Sequence, residues 1–94
     1  MENETMEKTV EHKVKTWPPF FKDAVSGKRP FDLRVNDRDY NEGDTLLQEE
    51  FDPDLEEYTG MKHRQEIVCV TRAEDMPGKW GLKDGWCILG LKEI

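Results

Sequence analysis

Residues Ser26–Tyr40 read SGKRPFDLRVNDRDY, and within them Phe31–Val35 (FDLRV) alternates apolar and polar side chains without a break. A period of two marks a β-strand whose two faces meet different surroundings, because successive side chains on an extended chain point to opposite sides. Phe31, Leu33 and Val35 are the expected buried face. Asp32, Arg34 and Asn36 then form a row on the face opposite. The same segment gathers Lys28, Arg29, Arg34 and Arg38 within a chain whose formal net charge is −7, with Asp32, Asp37 and Asp39 set among them. Such a row is either an ionic network on an outer strand face or a site. As a site, it would offer forked guanidinium donors, a carboxylate acceptor and the aromatic Tyr40, carried on the polar loop that follows, to a planar and partly anionic ligand.

The flanks give the order of elements. Upstream, His12–Lys15 reads as a short first strand, and Thr16-Trp17-Pro18-Pro19 opens a helix, since proline is tolerated in a first turn whose amides have no intrahelical partner. Phe20, Phe21, Ala24 and Val25 recur at helical spacing, and Gly27 is a natural stop. Downstream, residues 36–44 are turn-forming, Thr45–Phe51 and His63–Arg72 pair as a long hairpin, and Ala73–Lys79 is a loop. The apolar run from Trp86 to Leu91 then makes a closing strand. The order is strand, helix and four strands, a mainly β chain of α+β class. Apolar residues on both sides of Ile67–Val70 and Trp86–Leu89 favour a small curled or closed barrel over an open sheet, because closure removes exposed edges.

Composition narrows the function. Ninety-four residues make one domain, expected over residues 12–94, with an acidic leader at residues 1–11 that holds Glu2, Glu4, Glu7 and Glu11 against Lys8. Twenty-one acidic against fourteen basic residues disfavour a long nucleic-acid footprint, because affinity for a polyanion rests on neutralised phosphates. No apolar run reaches the roughly 20 residues of a membrane span, and the first residues lack the basic-then-apolar order of a secretion signal. The expected location is the cytoplasm. Cys69 and Cys87 sit in apolar stretches and read as buried reduced thiols, and His12 and His63 lie apart from any Cys or carboxylate at metal-ligand spacing, so neither a metal nor another cofactor is expected. Glu49, Glu50, Glu56 and Glu57 read as a solvated acidic hairpin. Trp17 is a stacking platform or a packing residue at a helix entry, whereas Trp80 and Trp86 read as core or rim.

The segment from Gly27 to Arg34 (GKRPFDLR) resembles the Gly-x-Lys-x-x-Glu-x-Arg signature of the ASCH domain, a family of PUA-like β-barrels. Gly27 and Arg34 match the signature, and Arg29 and Asp32 replace its Lys and Glu with the charges kept. KTWP at Lys15–Pro18, NDRD at Asn36–Asp39, Asp52-Pro53, Tyr58-Thr59-Gly60 and GWCIL at Gly85–Leu89 are similar to a small bacterial and phage branch of that family. The resemblance covers residues 12–94. It implies a PUA-like barrel with a helix after the first strand, a cleft between helix and barrel lined by the motif, and a role in binding RNA. Some ASCH proteins hydrolyse acylated cytidine with a Lys and a Thr inside this motif and a downstream Glu. Arg29 and Asp32 stand at the Lys and Thr positions here, and a guanidinium is a poor proton shuttle while a carboxylate has no hydroxyl to attack with.

The expected function is therefore binding of RNA or a nucleotide-sized ligand in a small positive cleft. Arg29, Arg34 and Arg38 would hold phosphate or a base edge, and Asp32 would orient Arg34 or accept from an exocyclic amine. Lys15 and Asn36 would complete the lining, with Trp17 or Tyr40 stacking on a base. Two alternatives stand beside it. One is a hydrolase of a modified nucleoside or RNA with Asp32 or Lys15 as general base, and the other is a phage-type module whose acidic surface docks a protein partner.

Overall fold

A computed structural model describes residues 9–94. The expected leader falls outside the described residues as far as position 8. The elements run β1 (Glu11–Thr16), α1 (Pro18–Val25), β2 (Phe31–Val35), β3 (Thr45–Asp52), β4 (Glu57–Arg72) and β5 (Trp86–Glu93), with 3-10 turns at Ala73–Asp75 and Pro77–Gly81. Both prolines fall in the first turn of α1 behind an extended Trp17, and the Ser26 and Gly27 amides close the helix on the carbonyls of Lys22 and Ala24. Gly27 takes a φ of 81°, the left-handed conformation that ends a helix at little cost only for glycine.

The five strands form one sheet in the order β1-β3-β4-β5-β2, with β1 parallel to β3 and every other pair antiparallel. β4 is long enough to serve two neighbours: its first part pairs with β3 and its second with β5. Register shifts between Glu49 and Phe51 and between Ile67 and Cys69 add local bend, so the sheet curls. Inside the curl, Val14, Tyr40, Leu46, Ile67, Cys87, Leu89 and Leu91 form the core, and α1 buries Phe21 and Ala24 against the β3 and β4 side. Among the described residues no helix is long and apolar enough to cross a membrane.

Of the curled and closed alternatives the sequence left open, the sheet takes the curled one: it is a half-barrel with β1 and β2 as its two edges and no backbone ladder between them. Several expectations need correction here. The period of two in β2 is present but inverted: Asp32 is 4% exposed, whereas Phe31, Leu33 and Val35 are 42%, 45% and 44% exposed. Register with β5 explains this. Asp32 and Arg34 lie opposite Leu89 and Cys87, which belong to the core, and residues directly opposite in a ladder share a face. Tyr40 is not a loop residue open to a ligand but a core residue with no exposed surface. Cys69 is exposed, because the shift after Ile67 turns Val68 and Cys69 outward; Cys87 is buried, and both thiols are free.

Candidate binding cleft

Inverting β2 brings its charged row against the end of β1 and the entry to α1. There a cleft of about 610 Å³ is lined by Trp17 and Phe20 from the helix entry, Leu33 and Val35 from β2 and Trp86 from β5. Its charged lining is Lys15, Arg29, Arg34 and Arg38 against Asp32 and Asp37. Four cations against two carboxylates make this cleft positive on an acidic chain.

Asp32 is the hub. One of its oxygens accepts from Arg34 Nε, and the other lies 3.9 Å from Arg29 Nη2. A carboxylate this buried is tolerated only with such partners, since an unpaired buried charge costs several kcal/mol. Arg29 in turn lies over the rings of Phe20 and Phe31, each centroid 4.7 Å away, which ties the helix to β2 through cation–π contacts. Lys15 Nζ sits 4.2 Å from the ring centre of Phe51.

Two of the cleft's guanidiniums, those of Arg34 and Arg38, bridge the open side of the half-barrel. The chain of pairings runs β1 antiparallel to β2 across the gap. Arg34 Nη2 donates to the Lys15 carbonyl at 3.3 Å, and Arg38 Nη1 donates to the Lys13 carbonyl. Two side chains thus span a seam where a backbone ladder would close a barrel. Part of the bonding of these cations is therefore structural. The seam also borders the cleft, which shares Lys15, Arg34 and Arg38 with it.

Of the residues expected at the site, the structure brings together Lys15, Trp17, Arg29, Asp32, Arg34 and Arg38. Asn36 and Tyr40 are not among the lining residues. The Asn36 amide donates to the Gly85 carbonyl at 2.8 Å, and its Oδ1 is buried with no hydrogen-bond partner. Tyr40 packs edge-on against His12 at 4.8 Å between ring centres. Burial pushes its phenol pKa up, while Arg34 and Arg38 work in the opposite direction. Phe20, Leu33, Val35 and Trp86 were missed because each reads as core. Phe20 carried a usable signal: adjacent residues on a helix point about 100° apart, so a short helix with one buried face cannot bury Phe20 and Phe21 alike.

A second polar cluster was also missed. Asp44, 5% exposed, accepts from His12 Nε2 at 2.9 Å and from the amides of Val10 and Asn41 at 3.1 and 3.2 Å. Burial works to raise its pKa, but the hydrogen bonds from His12 and the two amides outweigh it, and the carboxyl lies below the ordinary range. His63 likewise meets Glu93 at 3.1 Å, so neither histidine is isolated once the chain folds. Among the described residues no group of three or more His, Cys, Asp or Glu side chains is placed to hold a metal ion. Burial also pushes the Cys87 thiol up, away from reactivity.

A search of curated proteins finds no match to the chain. A family model does match, from the first residue of β1 into β5. Its span is residues 11–91 and its description is "Domain of unknown function (DUF3850)", and the chain belongs to that family.

Proposed function

We propose that this protein binds a nucleotide-sized ligand, a free nucleotide or a short stretch of single-stranded RNA, in the cleft between α1 and the seam. The observation that carries the reading is Trp17, 53% exposed, on a cleft that also holds Phe20, Arg34 and Arg38. Aromatic faces stack bases of any identity, and guanidiniums take phosphate or a base edge. The volume is that of a small-ligand pocket, commonly about 300–1,000 Å³. We further read the domain as PUA-like and ASCH-type, since the curled sheet, the helix after the first strand and the Gly27–Arg34 motif beside the cleft agree with that resemblance. Two free thiols agree with a reducing cytoplasm.

Hydrolysis has less support. Asp32 is held by Arg34 and approached by Arg29, and Lys15 is spread over Phe51, so neither is presented as a free base. A protein-docking role has one observation in its favour: Leu55, Tyr58 and Met61 are 66%, 51% and 59% exposed at the tip of the acidic β3–β4 hairpin.

Anisotropy titration of labelled single-stranded RNA and tryptophan quenching by nucleoside monophosphates test the reading. Trp17→Ala should weaken binding by about 1–3 kcal/mol, the usual worth of one stacking platform. Log affinity against log salt should have a shallow slope, roughly −1 to −3 at about 0.7 per phosphate. Tight binding to long duplexes with a much steeper slope contradicts a small cleft. Absence of nucleotide binding, with a single stoichiometric protein recovered through the hairpin, favours the docking role instead.

A further inference from the structure

Arg34 and Arg38 both face the cleft, and their surroundings hold them differently. Arg34 is fixed at two points, by Asp32 through Nε and by the Lys15 carbonyl through Nη2, and its side chain is 22% exposed. Releasing it would strip a buried carboxylate of its main partner. Arg38 has no comparable anchor. Its side chain is 45% exposed, Asp37 beside it is 62% exposed and 4.0 Å away, and its hydrogen bond goes to the neutral carbonyl of Lys13 on the edge strand β1.

A phosphate oxygen outcompetes a neutral carbonyl for a guanidinium, since a bond with both partners charged is shorter and stronger, and Arg38 is exposed enough to make the exchange. The carbonyl it gives up lies on a sheet edge, where water can replace the donor. We infer that Arg38 is the phosphate-binding group of this cleft, taking the anion in exchange for the Lys13 carbonyl, and that Arg34 is the fixed guanidinium facing the rest of the ligand. The inference rests on the nucleotide reading for its choice of probes, whereas the geometry of Arg38 stands without it. A consequence is that anion binding removes one of the two side-chain bridges across the seam.

The experiment compares adenosine 5′-monophosphate with adenosine on the wild-type chain and on Arg38→Ala, and follows the carbonyl carbon of Lys13 by NMR. Wild type should prefer the monophosphate by about tenfold or more, as one charge-assisted contact allows, and Arg38→Ala should erase most of that preference while changing adenosine affinity by less than about twofold. On addition of the monophosphate the Lys13 carbonyl resonance should move toward its position in Arg38→Ala. A preference that survives in Arg38→Ala, or a Lys13 carbonyl that stays still while the Trp17 indole signal saturates, overturns the inference. If wild type binds neither compound, the nucleotide reading falls, and inorganic phosphate then decides: a Lys13 shift toward the Arg38→Ala position supports the anion site, and no shift overturns it.

Discussion

Asp44 and Asp32 are almost equally inaccessible, at 5% and 4% exposure, yet the molecule uses them in different ways. Asp44 is surrounded by donors that belong to the fold, two main-chain amides and an imidazole, which join three places in the chain: Val10, His12 and Asn41. None of the three lines the cleft. Asp32 is met by guanidiniums whose remaining donors reach the seam and the cleft. One carboxylate is satisfied by the fold and locks it; the other holds an arginine that still has donors to offer. Burial of an acid therefore does not mark a site. The identity of its partners, and where their unused hydrogen-bonding capacity points, is what separates the two.

The largest expected effect tests the lock. Asp44→Ala strands His12 and two amides at once and should cost about 3 kcal/mol in urea unfolding, in line with leaving several donors without their acceptor. Nucleotide binding by the folded fraction should be unchanged. The same residue gives the pH test: its folded pKa is lowered, so its stabilisation is complete above the unfolded value, about 3.9, and is lost as the pH falls through the folded one. Glu11, lowered by its hydrogen bond from Arg64, titrates in the same direction. Asp44→Asn should flatten the acid limb of the stability profile, and an unaltered limb would assign acid unfolding to other groups.

Arg34→Ala should cost less stability, about 2 kcal/mol, because Asp32 keeps Arg29 nearby, but it should also weaken the ligand. Arg34→Lys should recover only part of either loss, since an ammonium cannot bond Asp32 and the Lys15 carbonyl in the same fixed fork. If Arg34→Ala proves as destabilising as Asp44→Ala and leaves binding intact, the two carboxylates do the same work and the contrast fails. The smallest effect concerns the chain before β1. A chain beginning at Thr9 should melt within about 3 °C of the full chain, whereas one beginning at Glu11 loses the Val10 bonds to Asp44 and Thr45 and should lose about 1–2 kcal/mol. Calorimetry of the two truncations separates these outcomes.

Much of this fold was legible in advance. The element order, β2 at Phe31–Val35, the helix behind Pro18 and Pro19 and the β3–β4 hairpin all follow from local signals: a period of two, a first turn that accepts proline, and turn residues between apolar runs. Six of the eight residues expected at the site do meet in one cleft, because they cluster in sequence around β2 and the helix entry. Tyr40, expected on an open loop, and Phe31 and Leu33, expected in the core, share one reason: their position in sequence was right and the side they face was not, whereas Asn36 lies just past the end of β2 and outside the lining.

What the sequence determined by itself was the alternation in β2, the stops and starts of the elements and the gathering of cations in an acidic chain. Each is a property of neighbouring residues and needs no knowledge of the rest of the molecule. Which face of β2 turns inward was decided only when β5, some 55 residues later, placed Cys87 and Leu89 opposite Arg34 and Asp32. The pairing of His12 with Asp44 likewise joins residues 32 apart. Alternation fixes that two faces differ, but a strand rotated by half a turn has the same alternation, so only long-range register and the direction in which the sheet curls can choose between them.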